Sequence, residues 1–472
     1  MCVRHTCAAR DGTNFPPDFS GLVRGFDRPS VLISLLITLT ALAPLDASAR
    51  AKPSCRLEQD TTRKVAIALL RASRRRDGPS HDEVVRRLVG LGSEAVELLL
   101  DLLVDRRIPA LVTGDAPQTL SVPQRAMILD AFCRSSRSDV VNRIETRVAG
   151  SSDEAPRIAA LYVYSALGGE RSLPRLLELS LPAQGLAEEG LSPQLADALR
   201  EAHAEILKRE PKAHRSMPKL LERATPSQRR AMLFALGETA DPCALPSFAE
   251  ILRRHPELSD LVISQALRVG ASADSAVNES LGELVRPSLR SARASLVAAS
   301  ARLLGNIDHA PSAPDLVALL DHEELQVQES AHWALRRMSG LDLGPRSVAW
   351  NAWLASEQDW WNEEGPLRLE QLKLGSRATR LAAVDACGAH TLGRSRLAAA
   401  VTSALFDNDA TVRGKACDAL GQLGSPVASG GLLQALSDAT PAVSEAARRA
   451  LQQIHGAPLP VSSEDCRAHL HL

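Results

Sequence analysis

Aromatic side chains are scarce in this chain: seven Phe, two Tyr and five Trp, or 3% of 472 residues. Sheets favour β-branched and aromatic residues, so a core made of Leu, Ala and Val points to thin helix-on-helix packing. An excess of one charge is also missing. Fifty-five basic residues face 56 acidic ones, for a net charge of −1. Nucleic-acid binders usually carry a basic surplus, so nucleic acid is disfavoured as a partner. There is no nucleophile elbow, P-loop, HExxH helix or CxxC pair. Gly421-Gln422-Leu423-Gly424 ends a helix instead of starting one, the wrong polarity for cradling phosphate. The reading is therefore of no catalytic residue, no cofactor and no metal.

Long apolar runs are absent except at residues 31–45 (VLISLLITLTALAPL). A bilayer span takes about 20 apolar residues, so this one is short. Arg24 and Arg28 precede it and Ala47-Ser48-Ala49 follows, the layout of a secretory signal cleaved between Ala49 and Arg50. The expectation is an exported protein, periplasmic or extracellular, with no stable membrane span after cleavage; the rival is an uncleaved inner-membrane anchor. Residues 1–22 fit no part of a signal, which points to Val23 as the initiator. Lys52-Pro53-Ser54 before Cys55 is not a lipobox. Cleavage leaves Cys55, Cys133, Cys243, Cys387, Cys417 and Cys466 at scattered spacings, which favours unpaired thiols. Cys387 and Cys417 fall on helical core positions, where a thiol acts as a small hydrophobe.

A small-large dyad recurs along the chain: Ala131-Phe132, Ala166-Leu167, Ala198-Leu199, Ala235-Leu236, Ala266-Leu267, Leu303-Leu304, Ala334-Leu335, Ala386-Cys387, Ala419-Leu420 and Ala450-Leu451. The intervals are 35, 32, 37, 31, 37, 31, 52, 33 and 31 residues. A period near 34 is the mark of a solenoid of stacked units. In the clearest unit Val412, Ala416, Ala419, Leu420 and Leu423 share one face of a helix. Gly424-Ser425-Pro426 stops that helix, and Asp438-Ala439-Thr440-Pro441 caps the next.

With Asp409-Ala410-Thr411-Val412-Arg413 before the helix and Ala419-Leu420-Gly421-Gln422-Leu423-Gly424 at its end, the chain resembles the HEAT-repeat family, close to armadillo and phycobilisome-lyase-like repeats. The resemblance covers roughly residues 85–456. It implies an all-α, right-handed superhelix of about ten helix pairs, roughly 100 Å long at about 10 Å per layer. The organisation read from the chain is an extension and signal (1–49), an irregular helical region with a loop (50–122), a first repeat block (123–340), a tryptophan-rich joint (341–366), a second block (367–456) and a disordered tail (457–472). Within it, residues 81–104 read as one helix, 106–122 as a long surface loop, and 181–192 and 210–226 as long connections.

Three features compete for chemistry. His322-Glu323 is similar to the His-Glu pairs of HEAT-type iron hydroxylases, but a two-metal site needs several converging pairs. His469 and His471 lack further ligands, and Arg74-Arg75-Arg76 reads as a solvated helix end. The joint holds Trp350, Trp353, Trp360 and Trp361, inside the interval of 52 where about 19 residues are inserted. Its Gly-x-x-x-Gly and Trp-x-x-Trp pattern resembles a segment of exported bacterial HEAT-repeat proteins. Trp350, Trp353, Leu354 and Trp361 form one stripe for packing, which leaves Trp360 as the exposed exception. Repeat geometry places Arg413, Lys415, Arg448 and Arg449 on the concave side with Trp360 as partner-binding residues. The function expected is a non-catalytic scaffold for a protein partner; a lyase or hydroxylase on this fold, or a purely structural envelope protein, are the alternatives.

Overall fold

Seven of the ten dyads begin at the tenth residue of a helix, among them Ala131 in Val122–Cys133, Leu303 in Ala294–Asn306, Ala334 in Leu325–Ser339 and Ala419 in Ala410–Leu423. The repeat read from sequence is thus a repeat of helices in space. The computed structural model describes residues 53–109, 117–181, 190–272 and 274–456. The Ala49–Arg50 junction, the side chain of Cys55, Cys466, the tail histidines and most of the 181–192 connection lie outside them. The described chain is an all-α solenoid with one short antiparallel pair, Arg107–Ile108 against Gln118–Thr119. Among the described residues no helix is long and apolar enough to cross a membrane.

The dyad helices form one layer in which each packs on the next on either side of the tryptophan joint, as Glu154–Leu167 on Pro193–Arg209 and Ala410–Leu423 on Pro441–His455. Shorter helices such as Leu245–Arg254 and Ala313–Ala318 make the second layer. The residue after the dyad explains how closely the layer stacks. A Cβ on Gly305 would lie 2.5 Å from the Cα of Ala334, and one on Gly421 3.1 Å from the Cα of Ala450. The small residue of one dyad therefore seats against the glycine that follows the dyad before it. Ridges meet at backbone distance there, which no larger side chain permits.

Several expectations change. Ala166 and Leu167 are only half-buried at their helix end; Ala159, Ala160, Leu161 and Val163 carry that helix's core. In Pro193–Arg209 the tenth and eleventh residues are Ala202 and His203, so the Ala198-Leu199 dyad sits one turn early. His203 fills the place of the large apolar residue, its Nδ1 is 2.9 Å from the Leu199 carbonyl, and burial pulls its pKa down to about 4. The single helix expected over 81–104 is two, His81–Gly90 and Ser93–Asp105, parted at Gly92 with φ +75°. The 106–122 loop is pinned at both ends by the strand pair, and Ile108 is fully buried. The 210–226 connection contains the helix Met217–Arg223.

Gly344-Pro345 precedes a helix at Ser347–Glu363, and Gly365-Pro366 opens another, Gly365–Leu374, instead of only closing the joint. The apolar core divides inside the tryptophan helix. One cluster runs from Ala66 to Leu354 and includes Trp350 and Leu392; the other starts at Trp360 and reaches Leu451. Trp360, expected to be exposed, is buried at 7% exposure, while Trp353 and Trp361 are half-buried. A wheel argument assumes one buried stripe. At 100° per residue Trp360 lies about 80° from Trp350, so the helix presents a separate face to each cluster. Trp350 is wholly buried, with its Nε1 donating to the Gly344 carbonyl at 2.7 Å. Trp350→Ala should therefore cost about 3–5 kcal/mol, and the half-buried Trp353→Ala less. Urea denaturation of both variants checks the order, and equal losses would contradict it.

Candidate functional site

The joint is organised by residues 390–395. The Glu357 carboxylate, buried in mid-helix, accepts the N–H groups of Thr391 at 3.2 Å and Leu392 at 3.1 Å. Trp353 Nε1 donates to Thr391 Oγ1 and Trp361 Nε1 to the Leu392 carbonyl, both at 3.0 Å. The Trp360 ring stacks on His390 with centroids 4.0 Å apart. Arg394 then ties the two blocks together. Its Nε donates to the Met338 carbonyl at 2.6 Å, Nη2 to that of Arg337, and Nη1 to that of Leu423 at 3.2 Å. Those carbonyls end the dyad helices Leu325–Ser339 and Ala410–Leu423, where a cation also meets the negative end of the helix dipole. Asp308 Oδ2 accepts the Ser395 N–H at 2.8 Å. Burial pulls the Arg394 guanidinium below its ordinary value and pushes the Asp308 carboxyl up.

Beside these groups lies a cleft of about 550 Å³ whose walls include Asn278, Asp308, His309, Gln358, Trp361 and Arg396. That volume falls within the roughly 300–1,000 Å³ of small-molecule sites. The Arg396 guanidinium covers the Trp361 ring, 4.7 Å from its centroid. His309 Nδ1 is held by Ser312 Oγ at 2.7 Å, its Nε2 lies 3.3 Å from Glu283 without a hydrogen bond, and burial lowers its pKa. His322 uses Nδ1 to accept the Glu324 N–H at 3.0 Å, so the His-Glu turn caps itself. Among the described residues no three His, Cys, Asp or Glu side chains gather as a metal site.

The basic residues expected to line a binding surface separate into kinds. Arg413 is half-buried and forks onto Asp438 at 2.7 and 2.9 Å, while its Nη1 also reaches the Asp407 carbonyl. Arg380 grips Asp407 in the same way at 2.6 and 3.0 Å. Arg413 is thus one rung of a ladder between successive units. Lys415 and Arg449 stand together on the exposed side of neighbouring dyad helices, paired with Asp385 at 2.9 Å and Asp418 at 3.4 Å. Arg448 is half-buried, and Trp360 is not part of that surface. Sequence reasoning missed Glu357, Asp308 and Arg394; Asp308 is a non-glycine residue at φ 55°, but no spacing rule brings it to Ser395, 87 positions away. Burial raises the thiols of Cys387 to about 11 and Cys417 to about 12, in keeping with small core residues.

The HEAT repeats family model matches residues 365–452, from the helix after the tryptophans through the last dyad. That segment of the chain is made of HEAT repeats. No curated protein matches its sequence. Among solved structures, an engineered protein is similar at 17% identity and a TM-score of 0.30, over 84% of this chain and 96% of its own. The karyopherin Kap121p bound to the SUMO protease Ulp1p is similar at 11% identity and 0.34, over 89% of this chain and 47% of its own. Human deoxyhypusine hydroxylase gives 16% and 0.21, over 52% and 99%. The chain thus spans about half the length of Kap121p. At these scores none of the three bears on partner or chemistry.

Two outcomes follow from the joint and the ladder. Arg394→Ala leaves buried carbonyls on both sides without their donor, a loss of about 1–3 kcal/mol each. Its urea transition should split into two, one per block; a single unshifted transition would show that the guanidinium does not couple them. The ladder sets an acid limit. The hydrogen bond from Arg377 holds Asp409 at about 2, and Arg413 holds Asp438 below the carboxylate range. Burial pushes Asp407 up, and the Arg380 fork more than reverses this. Carboxylates lowered by folding stabilise above their ordinary value of about 3.9 and lose that contribution as pH falls through the folded values. The melting temperature should drop between about pH 4 and pH 2, and less steeply in Asp438→Asn.

Proposed function

We propose that this HEAT-repeat protein is a non-catalytic scaffold of the cell envelope that holds a protein partner along the concave surface of its solenoid. The observation that carries the reading is the dyad layer itself: a stack of helices whose last three, beyond the joint, bear Asp385, Lys415, Asp418 and Arg449 on their exposed side. Such stacks make extended surfaces suited to peptides or folded partners. Export is supported by residues 31–45 with their flanking Arg28 and Ala47-Ser48-Ala49.

The test has two arms in the native host. Mature protein should fractionate with the envelope and begin at Arg50. A photo-crosslinking amino acid at position 415 or 449 should give one discrete protein adduct. Cytoplasmic protein with an intact leader would refute the envelope assignment, and no adduct at either position would refute the scaffold.

A further inference from the structure

We infer that the face around Trp333 docks an acidic segment of a protein partner, an inference that rests on the scaffold reading and gives its partner a chemistry. Trp350, Trp353 and Trp361 direct their indole N–H groups into the fold, and Trp360 is stacked on His390. Trp333 is different. It is 42% exposed on Leu325–Ser339, immediately before the dyad. Arg302 occupies the same place in the preceding dyad helix, its guanidinium 6.0 Å from the Trp333 centroid. Arg336 and Arg337 follow one turn later, and with Gly340, Leu341 and Asp342 they close a pocket of about 360 Å³ against the ring.

The charges do not cancel there. Asp342 is shared by Arg336 at 3.3 Å and His332 at 3.6 Å. Arg302 donates only to Ser330 Oγ, at 3.3 Å, and among the described residues neither Arg302 nor Arg337 has a carboxylate within ion-pair distance, although the charge of Arg337 also acts on buried Asp308. Glu329, exposed one turn before Trp333, is the nearest acidic residue along that face of the helix. Further along the same layer the charges neutralise each other, Lys415 with Asp385 and Arg449 with Asp418. Two guanidinium forks beside an open indole suit carboxylates carried on a short apolar stem: the forks donate to the oxygens and the ring covers the stem. Trp and Arg are also the side chains that dominate interface energetics. With a chain net charge of −1 there is no general field to hold a nucleic-acid backbone, so an acidic peptide is the favoured occupant.

The probe is a fluorescein-labelled decapeptide of Asp, Glu and two Leu, with a Lys-for-acid counterpart, titrated by anisotropy against the full chain. The acidic peptide should bind and the Lys peptide should not. Trp333→Ala and the double change Arg302→Glu with Arg337→Glu should each weaken binding at least tenfold at unchanged melting temperature. The charge-reversed protein should instead take up the Lys peptide, which shows that its loss is not misfolding. Undiminished binding by either variant, or equal displacement by a single-stranded oligonucleotide, overturns the inference. In the host, a crosslinker at position 333 should capture the same partner as one at 449. An adduct at 449 but not at 333 overturns this inference and leaves the scaffold standing, whereas none at any position removes both.

Discussion

Everything in this molecule depends on how closely one dyad helix can approach the next. With 3% aromatic residues the chain has few large rings to fill a thick interior, so apolar area must be buried by bringing backbones together. The contacts of Gly305 with Ala334 and Gly421 with Ala450 are where this happens. Large residues such as Leu304 and Leu420 then fill the gap between layers instead of forcing the helices apart. The period near 34 follows from this, because each unit must return a small residue to the same height on its neighbour.

The joint is the place where that rule is suspended. An additional helix, Ser347–Glu363, enters between two dyad helices, and four large rings replace the small-residue contact. Rings alone would leave the turn at 390–395 with loose backbone groups. Glu357 takes its N–H groups, Trp361 donates to its Leu392 carbonyl, and Arg394 reaches outward from it to helix ends on both sides. The two apolar clusters are therefore coupled by polar geometry, which is directional, where the repeats are coupled by packing, which is not.

The repeating part of the fold was legible in the sequence because it is local: period, dyad and cap lie within one unit. The insertion was also legible, as a gap of 52 and a concentration of tryptophans. The sites at the joint were not. Trp360 looked exposed because a single stripe was assumed for a helix that serves two cores. Arg413 looked available because its partner, Asp438, belongs to the following unit. Asp308, Glu357 and Arg394 carry no pattern, since their partners are 29 to 87 residues away in sequence. Where an environment is set by distant units, residue type alone does not reveal it.

The Arg–Asp ladder also bears on how such a chain changes length over generations. Asp407 receives the fork of Arg380 from the unit before, and Arg413 gives its own to Asp438 in the unit after. A tandem duplication copying residues 407–437 as a block would carry one acceptor in and one donor out, so every fork in the longer gene product would still close. No such copy works across the joint. Arg394 reads Met338 and Leu423, which stand at unlike distances on either side of it, and a unit inserted between them would separate a donor from its acceptors. A repeat can therefore be added beyond the tryptophans without opening a fork, whereas one added between Met338 and Leu423 would part Arg394 from a carbonyl it caps.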